Sequence, residues 1–500
     1  MFDKIKLLGA DTAIYGVSTV VGRLLTFLLT PFYTHLLARA ELGVVANVYA
    51  WIAFFNIVFG CGMEAAYMRY VSSLEIGTKK QNFSVPFLSH VATSLLFLIL
   101  ILTQAAPLAA TANVPLEHST IIKYAGWILF LDALAIIPFA SLRMERKAKL
   151  FAGLKLLNII TTVGCNLFFL LKMRWGIEGV FISNLIASAV TLAFLVPTIL
   201  RNLDFDWSPA LYKALLKFSL PTVPAALGGI MIQVINRPIL RSLTDDATVG
   251  LFQANYRLGI FMMLLVSTFD FAWRPFFLSN AKEPNAKQLF ARVLTYFFLL
   301  MMTCFIIISI FIGDIVTTPI FFGKSLIAEN YWSGLGIVPV ILLAYVFMGV
   351  SSNLVAGIYI EKQTKKLPLA TFIGAAVSIL VNLALIPSMG IMGAAIATLL
   401  SYAAMAVAIY FIGRKVYPIE YEWGRLGKIA LSSAIVYACF TFIHPPMFEL
   451  AWKVGLVVLF GVMMYVMKFF NASEVASMMR LFSKQRAILT NEEIPPSSET

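Results

Sequence analysis

Charge is scarce in this 500-residue chain. Asp, Glu, Lys and Arg together make up 13% of it, about half of the roughly 25% found in ordinary globular domains. That is too little to coat a water-exposed surface of normal size, so a soluble enzyme is excluded. Histidine is scarce too, and His35, His90, His118 and His444 never form an H-x-x-x-H or H-E-x-x-H pair. No zinc site or metal-dependent hydrolase is indicated, and no cofactor is called for. Cys61, Cys165, Cys304 and Cys439 sit inside apolar runs without C-x-x-C spacing, so they read as small packing residues. Long polar loops are missing as well. The longest outside connections, near 107–119 and 314–331, are too short to fold alone, so any function must sit among the helices. A cleavable signal peptide is not expected, because the first apolar run continues from about 10 to 37, beyond the roughly 7–15 residues of a signal core.

Hydrophobic residues, by contrast, reach 60%, against roughly 45–50% usually, and mean hydropathy is +0.87. A membrane-spanning helix needs about 20 apolar residues. Fourteen such runs are present, near 9–35, 42–68, 83–107, 120–142, 150–171, 177–200, 214–237, 247–272, 292–313, 332–359, 367–387, 391–413, 427–444 and 451–468. The fold class expected is an all-α polytopic membrane protein. With the N-terminus inside, 27 of the 38 Lys and Arg fall in cytoplasmic segments and 8 in outside segments, while Arg23, Lys155 and Arg257 remain within spans. That asymmetry satisfies the positive-inside rule and places both termini in the cytoplasm. The net charge of +13 and pI near 9.5 are then mostly topology rather than a nucleic-acid footprint. After residue 470 an amphipathic stretch and a polar, Pro-rich end read as an interfacial helix and a disordered tail.

The chain also repeats itself. At an offset of 207, Gly22 falls on Gly229, Pro31 on Pro238, Gly43 on Gly250, Tyr49 on Tyr256 and Ala65 on Ala272. At 216, Glu145 falls on Glu361, Lys149 on Lys365 and Asn166 on Asn382; at 214, residues 176–179 (GIEG) fall on 390–393 (GIMG). A shift of six spans leaves both copies facing the same way, which is a parallel repeat about an axis along the membrane normal. The expected organisation is two pseudo-symmetric six-helix lobes, 1–212 and 213–414, two further helices in 415–470, and the tail 471–500.

An ionisable group at mid-bilayer costs at least about 2.5–3.5 kcal/mol, so it usually faces a cavity or a partner. Arg23 lies near the middle of span one and Arg257 about ten residues into span eight. They are the leading candidates for a central anion site, because arginine keeps its proton and its planar fork grips phosphate oxygens in pairs. Arg69, Arg237 and Arg274 lie at span ends, where reaching back to the interface competes with a binding role. Glu64, Asp132 and Asp270 are the intramembrane carboxylates, open either to pairing with arginines or to binding a coupling cation or proton. Tyr15, Tyr49, Tyr67, Tyr256 and Trp273 lie near these positions, where they suit sugar stacking or lipid-facing packing. Pro31, Pro138, Pro221, Pro224, Pro238 and Pro275 fall in or at the ends of spans, where breaks allow bending or static kinks.

Fourteen spans, a parallel six-plus-six repeat, short loops and central arginines resemble the multidrug/oligosaccharidyl-lipid/polysaccharide (MOP) exporter superfamily. The segments 16–33 (GVSTVVGRLLTFLLTPFY), 41–44 (ELGV) and 390–398 (GIMGAAIAT) are similar to its polysaccharide transporter branch, the Wzx-type flippases. The resemblance covers essentially the whole chain and implies a MATE-like fold in the bacterial inner membrane. It implies no enzyme, but a flippase that moves an undecaprenyl-diphosphate-linked oligosaccharide between leaflets for O-antigen, capsule or exopolysaccharide assembly. Its partners would be that lipid-linked oligosaccharide, membrane lipids and other polysaccharide-assembly proteins, with no nucleic acid. A MurJ-like lipid II flippase shares the layout and is the runner-up. A multidrug exporter of the superfamily would stop at twelve spans. A membrane glycosyltransferase or polymerase would be expected to carry a large periplasmic loop.

Overall fold

Within hydrocarbon, an apolar run can satisfy its own backbone only by coiling into a helix. The computed structural model describes residues 20–319, 321, 323–443 and 448–470. Among these residues, thirteen helices are long and apolar enough to cross a membrane. They match the second to fourteenth runs. The first run is described only from residue 20, as a helix over 20–27 followed by α1 (Leu29–Leu36). Tyr15, His444, and the interfacial helix and tail expected from 471, lie outside the described residues.

Spans two to six comprise α2 (Arg39–Gly60) with α3 (Met63–Ser73), α4 (Lys79–Thr103) followed by the short α5 (Ala105–Thr111), α6 (Ser119–Met144), α7 (Ala148–Leu167) and α8 (Gly176–Asn202). Spans seven and eight are broken: α9 (Pro209–Ser219) and α10 (Val223–Val234), then α11 (Asn236–Leu243), α12 (Asp246–Tyr256) and α13 (Ile260–Asn280). There follow α14 (Ala286–Thr317), α15 (Val338–Leu354), α16 (Ala356–Ile360), α17 (Leu367–Met389), α18 (Ile391–Val416), α19 (Trp423–Phe442) and α20 (Glu449–Val466). Local chemistry sets several starts. Thr78 and Gln81 exchange bonds of 3.2 and 2.8 Å in a capping box at α4. Asp245 accepts the Thr248 N–H at 2.7 Å ahead of α12.

The chain divides into two compact units. The first holds residues 1–287 and 312–419. In it, α6 packs between α4 and α8 and α7 lies on α8; α17 and α15 pack on α18, α10 lies on α17, and α2 crosses α12. At this crossing a methyl group built on Gly43 would overlap the Asp246 carbonyl oxygen, and one on Gly250 would overlap that of Arg39. Small residues are what let membrane helices approach so closely. The second unit holds residues 288–311 and 420–500. There α19 packs on α20, Phe305 and Tyr437 lie 5.6 Å apart, and the Arg425 guanidinium sits 4.4 Å over Phe469.

The internal repeat shows in the backbone. Arg146 and Lys362, 216 apart, both adopt φ of +55°, and Gly176 and Gly390 adopt +55° and +54°. Asn166 and Asn382 each donate to the carbonyl four residues earlier, at 2.8 and 2.7 Å. Away from the basic helix ends, the 323–337 segment bonds to the end of span one. His35 bonds to the Ser325 carbonyl at 2.8 Å, Ala328 N–H donates to Thr34 Oγ1 at 3.4 Å, and Tyr331 donates to the Leu37 carbonyl at 3.4 Å.

Candidate anion-binding cavity

Span eight is interrupted where it matters most. α12 ends at Tyr256, a single 3₁₀ turn covers Arg257–Gly259, and α13 resumes. Gly259 allows close packing on α15: a methyl group there would come within 2.8 Å of both Ile341 and Tyr345. Arg257, on the 3₁₀ turn, lines a cavity of about 520 Å3, whose walls include Arg23, Thr26 and Phe27 from span one, Phe151, Lys155 and Ile159 from α7, and Ile260 and Met263.

The two arginines reach across it in opposite directions. Arg23 Nη1 donates to Ser267 Oγ at 2.5 Å, and Arg257 Nη1 donates to Thr30 Oγ1 at 3.4 Å. The Arg257 guanidinium also lies 5.5 Å over the Tyr33 ring, whose hydroxyl donates to Asn166 Oδ1 at 2.9 Å. Among the described residues neither arginine meets a carboxylate. Two guanidinium groups without a carboxylate partner in one intramembrane space are the arrangement that an anion with several oxygens would need.

Two further chambers share walls with the first. One, of about 270 Å3, shares Arg257, Ile260 and Met263 and adds Tyr49, Gln233, Arg237, Gln253, Tyr256 and Tyr345. Arg237 is buried there. It donates to Gln253 Oε1 at 2.8 Å, Asn236 Oδ1 at 3.0 Å and the Gln233 carbonyl, and lies 4.4 Å over Tyr256. The other, of about 400 Å3, shares Phe151 and Lys155 and is lined by Asn56, Glu64, Asp132, Arg143, Asn158, Asn184, Ser188 and Thr191. In it Ser188 Oγ donates to Asp132 Oδ1 at 2.8 Å, Asn158 to Thr191 at 2.9 Å, and Glu64 pairs with Arg143.

The structure thus brings Arg23, Arg257 and Arg237 to adjoining chambers, with Glu64 and Asp132 in the third. Arg69 lies elsewhere, exposed and stacked 5.5 Å over Tyr70 and 4.9 Å over Phe218. Asp270 and Arg274 pair with each other at 2.9 Å one turn apart on α13, and Arg274 sits 6.0 Å over Tyr359. Tyr49 and Tyr256 line a chamber, whereas Tyr67 packs edge-on against Phe83 and Trp273 stacks on Phe269. Lys155, Arg143 and the amides Gln233, Gln253, Asn158 and Asn184 line these chambers without being candidates from the sequence. For Lys155 a signal existed: it is the third cation that the loop count leaves inside a span.

The family model described as "polysaccharide biosynthesis protein" matches residues 8–280. The chain is 23% identical over 428 residues to the probable low-salt glycan biosynthesis flippase Agl15 of Haloferax volcanii, covering 84% of this chain and 86% of that protein. Among solved structures, the lipid II flippase MurJ in an inward closed conformation superposes with a TM-score of 0.74 at 16% identity, over 91% of this chain and 99% of that one. An inward-facing multidrug resistance MATE family transporter of the MOP superfamily gives 0.61 at 14% identity, over 79% and 94%. A variant of the Vibrio cholerae MATE transporter VcmN gives 0.60 at 15% identity, over 83% and 97%. With more than half of its length matching the family model, the chain belongs to the polysaccharide biosynthesis protein family, as a multipass membrane protein with the fold shared by these solved transporters.

Proposed function

We propose that this protein is a flippase that carries an oligosaccharide linked to undecaprenyl diphosphate from the cytoplasmic to the periplasmic leaflet of a bacterial inner membrane, for O-antigen, capsule or exopolysaccharide assembly. The observation behind the reading is that Arg23 and Arg257 share one intramembrane cavity with no carboxylate of their own. A diphosphate supplies the missing negative charge, and two planar forks can hold its oxygens in pairs. The adjoining chamber, with its tyrosines and the amides Gln233 and Gln253, offers hydrogen-bonding groups and ring faces to the sugars. The prenyl chain stays in lipid.

The positive-inside rule assigns the basic helix ends and both termini to the cytoplasm. On that orientation the 323–337 segment and the α2–α12 crossing lie at the periplasmic end. Rocking of the repeat-related halves would turn the cavity outward. Replacing both arginines, R23Q with R257Q, is expected to abolish translocation in liposomes while the protein still inserts and folds; normal transport by the pair would sink the reading. Native mass spectrometry of gently extracted protein should show a co-purified mass that fragments into prenyl diphosphate and sugars. The fold likeness to MurJ also favours a second reading, a lipid II flippase, which requires that this chain restore peptidoglycan synthesis after MurJ depletion.

A further inference from the structure

We propose that Lys155 is a third ligand for the diphosphate, held in reserve by Asp132; the inference rests on the diphosphate reading above. Lys155 lines both the arginine cavity and the polar chamber beside it, so its stem stands in the wall the two share. The chamber's charged groups come from three helices: Glu64 of α3, Asp132 and Arg143 of α6, and Lys155 itself on α7. Glu64 is taken by Arg143. Asp132 is held by a neutral donor, Ser188 of α8, and closes no direct ion pair with Lys155. The Lys155 ammonium rests 4.4 Å over the Phe139 ring, within the field of Asp132 but not in its grip.

A cation so placed has two anions to choose between. When no diphosphate is bound, Asp132 is the carboxyl of this chamber that no cation pairs directly. When a diphosphate esterified at both ends arrives with its two negative charges, it offers a second. Lysine suits this exchange because its ammonium is a compact point charge on a flexible four-carbon stem, whereas an arginine fork would be committed to one geometry. Arg23 and Arg257 then supply the fixed part of the site and Lys155 the movable part. Asp132 competes with the cargo for Lys155, and removing that competitor should tighten binding.

The test is a binding titration of undecaprenyl diphosphate on the full-length protein in detergent micelles, with folding checked by size-exclusion chromatography. K155M should weaken binding roughly tenfold, the loss of one charge-assisted contact. D132N should strengthen binding severalfold, and that gain should vanish in the D132N/K155M double variant. A purely structural role for the pair would instead make D132N neutral or weakening. Binding that K155M leaves unchanged, or a D132N gain that persists without Lys155, would overturn the role of Lys155 alone. Failure of the wild type to bind, or full binding by R23Q/R257Q, would overturn the diphosphate reading and this inference with it. Should K155M not fold, K155Q takes its place in the single and double variants, and a neutral or weakening D132N would still overturn the proposal.

Discussion

Gly43 and Gly250 meet reciprocally where α2 crosses α12: each presses its bare α-carbon on a carbonyl of the other helix, Asp246 for Gly43 and Arg39 for Gly250. Glycine to glycine and arginine to aspartate are both steps of 207 residues, so the contact is twofold, made once by each copy of the repeat. Ala at either position should force the helices apart and cost about 1–3 kcal/mol, the usual range for overpacking. The two variants should lower the thermal unfolding temperature in detergent by similar amounts and impair transport alike. A large effect from one and none from the other would break the equivalence.

Tyr33 both donates to Asn166 and lies beneath the Arg257 guanidinium. The two roles separate by substitution. Tyr33→Phe deletes the hydrogen bond and keeps the ring, so it should cost about 1 kcal/mol of stability with transport largely retained. Tyr33→Leu also removes the ring, worth about 0.5–2 kcal/mol to a stacked cation, and should reduce substrate affinity beyond the Phe variant. Equal affinities for the two would show that the ring does not position Arg257.

Glu145, in the turn between α6 and α7, meets Lys147 at 2.8 Å and Arg201 at 2.6 Å. Burial pushes its carboxyl up, but Lys147 and Arg201 outweigh that and hold it below the ordinary carboxylate value. A lowered pKa contributes stability above the unfolded value, about 4.3 for Glu, and the contribution is lost as pH falls through the folded value. E145Q should therefore melt lower than wild type by a margin that is unchanged between pH 7 and 6 and closes below about pH 4. A margin that persists at pH 3 would count against the ion pairs as its source.

Asp270 and Arg274 offer a control for the cavity arginines. Their pair is one helical turn long and its arginine is exposed, a geometry worth about 0.3–0.5 kcal/mol. The double variant D270N/R274Q should change the melting temperature little and leave diphosphate affinity within about twofold, since neither residue lines the arginine cavity. Loss of binding comparable to R23Q/R257Q would place substrate at this end of α13 as well.

Span positions were legible because hydropathy is a property of each segment alone, and the repeat was legible because glycines such as Gly43, Gly176, Gly250 and Gly390 mark backbone geometry that substitution would destroy. Arg23 and Arg257 stood out because charge at mid-bilayer is expensive wherever it faces. Direction is what one-dimensional reading lacks. A helix apolar on all sides carries no amphipathic stripe, so nothing local tells that Lys155 points into a cavity while Arg69 lies on aromatic rings. The pairing of Glu64 with Arg143, and of Asp132 with Ser188, joins residues 79 and 56 positions apart and exists only once the spans have packed.

The crosswise bonds of the two arginines have a kinetic meaning. Among the described residues, the guanidinium hydrogen bonds between span one and span eight end on two hydroxyls, Ser267 and Thr30, and a neutral hydroxyl is readily outbid by a phosphate oxygen for a guanidinium donor. On the proposed reading, a diphosphate would exchange both hydroxyl contacts for its own oxygens, so that occupying the cavity and releasing the two spans from each other would be one event.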